Sequence, residues 1–335
     1  MSPDLSSPLT DILDALHCRQ PQGAVPLWEL EFHLWDRFSD QRVILGTEFT
    51  KLTRKEQERA LHTNAEIMYW VSSEYKFAAL TIPGGYWEIA PGAPAWFWLP
   101  PQKRIQQAKL LYNIAHNDVL LMAITGGVLA MPGADNYLSF SIQMLEEPEK
   151  IASQAQDCYS QGLENAKRLR DAGVEGFITA SDLADNRGPY FNPQQMQEFI
   201  LPWLRRWAGE IKKLQAFPIL HSDGNIMPCL AELLSSGIMA LQALDPVAGI
   251  ELANVKKQAL NKVCLCGNVD CGLFLQGAPE QVFEETSRLL QLNKPGGGFV
   301  LGASNVIQPQ THKENFMAMI EAWREYGQYG NDNKS

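Results

Sequence analysis

The sequence predicts a single-domain α/β protein of the (β/α)8 TIM-barrel class, and three observations predict it. Eight short apolar runs recur along the 335 residues, amphipathic stretches of helical length separate them, and the runs end in polar or glycine-rich residues. Strand-helix-strand repeats pair in parallel through right-handed crossovers, and eight such units close on themselves. A doubly wound open sheet is the alternative. The length exceeds a usual single core, yet one large barrel absorbs it.

Residues 1–24 are predicted to form a leading helix outside the repeat, and the barrel to occupy 25–330. The runs are VPLWELEF (25–32), FAALTIPGG (77–85), VLLMAITGG (119–127), GFITASDLAD (176–185), FPILHSDGN (217–225), IMALQALDP (238–246), VCLCGNVD (263–270) and GFVLGASNVI (298–307). Between them lie helical patterns such as SQAQDCYSQGLENAKRLRDAGV, closed by a glycine, and NPQQMQEFILPWLRRWAGEIKKLQAF, with proline in its first turn. The proline- and tryptophan-rich stretch at about 86–101 reads as an ordered insertion, and GNDNKS as a polar tail.

No apolar run reaches the length of a membrane span, and the first residues lack a basic region followed by an apolar core, so a cytoplasmic location is expected. The six cysteines are scattered and match neither a disulfide framework nor a CxxC zinc knuckle. A net charge of −10 without a basic stripe disfavours nucleic acid and anionic membranes as partners. A small molecule or a protein is the expected partner.

In a barrel the chemistry sits at the C-terminal strand ends. Those positions offer Glu29, Glu31 and His33; Tyr86 and Trp87; Thr125; Asp182, Asp185, Arg187 and Tyr190; His221 and Asp223; Gln242 and Asp245; Asn268 and Asp270; Ser304 and Asn305. Residues two apart on a strand share a face, so His221 with Asp223, and Glu29 with Glu31, can address one site. The competing reading makes Asp223, Asp245 and Asp270 helix caps. A histidine closing a strand has no such role, which favours function for His221. No P-loop, GxGxxG, GxSxG or HExxH motif occurs. The cluster Trp87, Trp96, Phe97 and Trp98 suits packing of the insertion better than a ligand wall.

The motifs VPLWELE, SDLADNRGPYFNPQQMQEFILPWLRRW, ILHSDGNI, GIMALQALDP, CGNVD and GGGFVLGASNVIQPQTHKENFMAMIEAWREYG together resemble the uroporphyrinogen decarboxylase domain family. That family includes the decarboxylases of haem synthesis and zinc-dependent methyltransferases that work with corrinoid proteins. The resemblance implies a barrel of the UROD/MetE-like kind. True decarboxylases carry an R-Q-A-G-R-Y motif after the first strand, an aspartate after the second, and L-G-H-G-I at the last. Here ELEFHLWDRF, LTIPGGYW and LGASNVI stand in those places. Carboxylates beside a polyanionic substrate are costly without paired cations.

The methyltransferase branch is the closer match, and its H-x-C zinc pair falls on His221 and Asp223, with aspartate replacing the thiolate. Zinc accepts such oxygen ligands. The resemblance therefore implies a methyltransferase moving a methyl group between a small methylated substrate and a corrinoid protein. His221, Asp223, Asp182 and Glu31 would be catalytic, with His221 and Asp223 as zinc ligands. Glu29, Tyr86, Trp87, Arg187, Tyr190, Gln242, Asn268, Ser304 and Asn305 would bind substrate. The corrinoid would stay on its carrier, and a homodimer is compatible with such barrels. The alternatives are a metal-free decarboxylase of a polycarboxylate and a barrel that binds a ligand without catalysis.

Overall fold

The computed structural model describes residues 7–88, 93, 95–259 and 262–330. Its core is a curled sheet of seven strands, β1 (Ala79–Ile82), β2 (Leu120–Ile124), β3 (Gly176–Ala180), β4 (Phe217–Ser222), β5 (Ala240–Ala243), β6 (Cys264–Cys266) and β7 (Phe299–Val300), paired in chain order. Every pairing is parallel, as β4 with β5 in the register His221 to Gln242.

The first apolar run closes this sheet. Leu27 bridges in parallel to both Phe77 and Leu301, at the two open edges. Leu27 carbonyl accepts from Ala78 N–H at 2.8 Å, Pro26 carbonyl from Leu301 N–H at 2.8 Å, and Trp28 N–H donates to Leu301 carbonyl at 3.0 Å. Pro26 has no N–H to give, which is one reason that this run makes isolated bridges and not a regular ladder. The eight predicted runs therefore surround one barrel, and each run is longer than its strand because its end turns into a mouth loop.

Alternation sorts the inward side chains into layers. Leu120, Met122, Ile178, Ile219, Ala240, Cys264, Cys266 and Val300 form one apolar interior cluster. Two residues beyond Ile219, Ala240 and Cys266 come His221, Gln242 and Asn268, all buried and polar.

A helix at Pro8–Leu16 closes the opposite end of the barrel. Ser7 caps it in a reciprocal box with Thr10, Pro8 opens it, and Ile12, Ala15 and Leu16 are buried against the interior cluster. The helical pattern at 192–217 starts at Asn192, whose side chain caps Gln195 N–H, and widens into a π-turn over Met196–Ile200 before Leu201–Lys213. Pro202 explains that turn, since it cannot donate to the carbonyl one helical turn back. The insertion is partly described: residues 89–92 and 94 lie outside the described residues, as do 1–6, 260–261 and the tail from 331. Phe97 is fully buried, and its carbonyl accepts from Gly85 N–H at 2.7 Å. Among the described residues no helix is long and apolar enough to cross a membrane.

Candidate active site at the strand ends

His221 lies at the C-terminal end of β4 with no exposed surface. Gln242, its register partner on β5, places Oε1 against His221 Nδ1 and donates Nε2 to Ala303 carbonyl at 3.4 Å. Because the amide nitrogen is spent on a carbonyl, the amide oxygen faces the ring, and Nδ1 carries the proton. The lone pair of Nε2 is thereby turned to the mouth. Tyr86 hydroxyl donates to it at 2.6 Å.

Two carboxylates complete the cluster. Asp182 Oδ1 lies 3.6 Å and Asp223 Oδ1 3.9 Å from Nε2, and Asp223 N–H donates to Asp182 Oδ1 at 3.0 Å. Asn305 Nδ2 donates to Asp223 Oδ2. Burial, then the neighbouring Asp182 and Asp245, push the Asp223 carboxyl up to about 6, against the opposing pull of His221. Burial and the charges of Asp182 and Asp223 push the Tyr86 hydroxyl well above its ordinary range.

Tyr86 reaches this place through Pro83-Gly84-Gly85. Gly85 has φ +76, and a Cβ there would sit 2.9 Å from Trp98 Cβ, so glycine is required on both counts. Glu31, fully buried, accepts Tyr86 N–H at 2.8 Å and Trp87 N–H at 3.4 Å, and faces His33 Nε2 at 3.1 Å. The rings of Trp87, Trp96 and Phe97 pack around His33 with centroids 5.3–5.5 Å away. Burial pulls Arg104 down to about 10 while Glu31 opposes it, and its Nη2 donates to Ile124 carbonyl at 2.8 Å. Glu29 accepts Ala303 N–H at 3.0 Å, and burial raises its carboxyl to about 8.

The predicted site residues thus separate into groups. His221, Asp223, Asp182, Tyr86, Gln242 and Asn305 come together, although Gln242 is consumed by His221 and Ala303. Glu31 is turned to the loop that carries Tyr86 and has no hydrogen bond to His221 among the described residues. Trp87 packs on His33. Asn268 donates Nδ2 to Leu244 carbonyl at 2.6 Å, and Ser304 Oγ pairs with Cys271. Arg187 is exposed at the turn of the small ribbon formed by Ala184–Asp185 and Gly188–Pro189, and forms no ion pair among the described residues. Tyr190 gives its hydroxyl to a bond with Ser141 at 2.7 Å and packs on Tyr137 and Phe191. The capping alternative is divided: Asp245 caps Val247 N–H and Asp270 caps Gly272 N–H, whereas Asp223 faces the cluster. Arg104 was not singled out by the sequence. It opens a helix after the insertion, where nothing in the local pattern marks it as buried.

The donor set was tested against the implied zinc. One ligand atom each from Asp182, His221 and Asp223 lie within 4.8 Å of one another. Zinc bonds of about 2.0–2.2 Å in a tetrahedron need ligand atoms roughly 3.3–3.6 Å apart, so small adjustments suffice. The imidazole with its far nitrogen held by Gln242 is also the arrangement that metal-binding histidines use. The residues fit the ion.

The sequence profile described as uroporphyrinogen decarboxylase (URO-D) matches residues 119–326, more than half of the chain. It leaves out 25–118, where ELEFHLWDRF and LTIPGGYW stand. A uroporphyrinogen decarboxylase of Chlorobaculum tepidum is 23% identical over 210 residues, covering 61% of this chain and 55% of that protein. One of Xanthomonas oryzae pv. oryzae is 28% identical over 162 residues, covering 46% and 43%. The chain spans about half the length of the curated relatives it matches. Among solved structures, a methyltransferase from Methanosarcina mazei superposes with a TM-score of 0.67 at 18% identity, covering 96% of this chain and 99% of that one. At that identity the likeness shows the fold.

Proposed function

The chain belongs to the uroporphyrinogen decarboxylase family, and from that premise we propose that it is a methyltransferase-type enzyme, moving a methyl group between a small methylated substrate and a corrinoid carried by a partner protein. The observation that carries the reading is the His221 Nε2 lone pair, set by Gln242 and flanked by Asp182 and Asp223. The name of the Methanosarcina barrel supports it.

Asp182, His221 and Asp223 would hold the zinc, which when bound supplies Lewis-acid chemistry to a substrate or acceptor atom. Asp223, oriented by Asn305, has its carboxyl raised to about 6 in the metal-free site, where it would serve as the acid-base residue; as a zinc ligand it would be ionised. Tyr86 stands over His221 and is the group that an entering substrate must displace or bond. Glu31 and His33 act on the reaction through the placement of Tyr86 and Trp87. On this reading Asn268 and Ser304 would contact substrate at the mouth, and Arg187 would serve at the rim. The reading keeps the reaction in the cytoplasm.

The test is the metal content of the purified protein beside His221→Ala, Asp223→Ala. About one zinc per chain, lost in the double variant, is the expected result. Metal-free protein in both cases overturns the zinc-centred reaction. A second reading, decarboxylation of a polycarboxylate, has the names of the curated relatives in its favour. Release of carbon dioxide from uroporphyrinogen without added metal would establish it.

A further inference from the structure

The bond that seats Tyr86 uses the atom that a metal needs most. His221 Nδ1 is committed to Gln242, so Nε2 is the nitrogen that can bind an ion, and it has a single in-plane lone pair. Tyr86 hydroxyl already takes that lone pair at 2.6 Å, with the two rings edge to face and their centroids 4.8 Å apart. The same hydroxyl oxygen lies 3.4 Å from Asp182 Oδ2, and Asp223 Oδ1 is 3.9 Å from Nε2. The phenol therefore stands among the three side chains whose ligand atoms come within 4.8 Å of one another.

The main chain beneath the ring is fixed. Glu31, fully buried, accepts Tyr86 N–H at 2.8 Å and Trp87 N–H at 3.4 Å, and Gly85 before them packs where a Cβ would sit 2.9 Å from Trp98 Cβ. Tyr86 itself is partly exposed at the mouth. Its ring can leave His221 by turning about its own torsions while the clamped peptide stays in place.

We infer that Tyr86 is a built-in competitor for the metal: its hydroxyl holds His221 Nε2 until an ion takes that lone pair, and the ring must swing off before Asp182, His221 and Asp223 can close on the ion. The inference rests on the metal site proposed above. A hydrogen bond and a metal bond to one lone pair exclude each other, whatever the ion. Tyr86 is not a ligand on this account. As one it would fill the fourth position that a catalytic zinc keeps for substrate, and its phenolate would bring a third negative charge to paired aspartates. Breaking the neutral hydroxyl–imidazole bond costs the incoming ion roughly three- to tenfold in affinity.

The test is a titration with zinc alone, against a chromophoric chelator, of metal-stripped wild type, Tyr86→Phe and Tyr86→Ala. Tyr86→Phe keeps the ring and loses the bond, and is expected to bind zinc roughly three- to tenfold tighter than wild type. Tyr86→Ala also clears the ring and should bind at least as tightly as Tyr86→Phe; it carries the comparison if Tyr86→Phe does not fold. Unchanged or weaker binding by the variants overturns the inference. A tyrosinate absorption band that appears in wild type when zinc is added also overturns it, because the phenol is then a ligand, and that reading needs no variant. Failure of the zinc reaction looks different. Zinc bound by wild type, with no gain in the variants, removes the competitor alone; zinc bound by the variants but not by wild type keeps the competitor and removes the zinc reaction; zinc bound by none removes both.

Discussion

The two ends of the barrel are built from the same strands and differ in what they leave unpaired. At the closed end Ile12, Ala15 and Leu16 of the leading helix share one buried apolar cluster with Ile178, Ile219 and Cys264. At the mouth, two residues further along the strands, His221, Gln242 and Asn268 are equally buried but polar, and acids crowd around them. The first region gains stability from area removed from water and from close packing. The second gives some of it up, holding the raised Asp223 carboxyl and amide oxygens of Asn268 and Asn305 that have no partner among the described residues. That difference supports the proposal that the mouth is the working end without reference to any relative.

The sharpest test of the contrast is Glu29, where the closing strand meets the mouth. Its carboxyl is raised to about 8 from an ordinary 4.5, so the folded state keeps the proton that the unfolded chain releases. Stability from this group is full below pH 4.5 and falls as pH rises toward 8. The loss should be on the order of 3–5 kcal/mol. Denaturant midpoints from pH 4.5 to 8.5 should therefore slope downward in wild type and much less in Glu29→Gln. Equal slopes would show that Glu29 is solvated.

Next in size is Ile219→Ala in the apolar layer, expected to cost about 2–4 kcal/mol in urea unfolding because the closed interior cannot collapse around the space. A cost below about 1 kcal/mol would mean that the interior is loosely packed, and the contrast between the ends would weaken.

Asp223→Asn should act in the opposite sense. Wild type loses the stability contributed by the protonated carboxyl as pH rises from 3.8 to about 6, and the variant does not. At pH 7.5 the variant should be more stable by roughly 1 kcal/mol, after allowance for partial solvent screening, and inactive. A destabilised variant would show that Asp223 serves the fold.

The smallest effect is spectroscopic. In Gln242→Leu the acceptor that keeps the proton on His221 Nδ1 is removed, and nitrogen shifts of labelled histidine should show a mixture of tautomers in place of one. A single unchanged tautomer would remove Gln242 from its positioning role.

Much of this was readable from the chain. The eight runs and their spacing fix the barrel, because period-two alternation and helical separators admit few other arrangements. The same alternation places His221 two residues beyond Ile219, at the mouth. What reading along the chain could not resolve was the fate of similar residues in similar places. Asp223, Asp245 and Asp270 each follow a strand, yet two became caps and one faces His221. A cap depends on its own next residues, whereas Asp223 is held by Asp182 and Asn305, 41 and 82 residues away. Glu31, Glu29 and Tyr190 likewise depend on partners brought in from elsewhere: a loop 55 residues on, the last strand, and the helix bearing Ser141.

The sequence by itself determined the barrel, its working end and the chemical character of the residues there, since these follow from local periodicity and side-chain type. Only the tertiary structure decided which polar groups meet, which tautomer His221 holds and which oxygens are left without partners. Those outcomes depend on burial and on distances of a few ångströms between strands far apart in the chain.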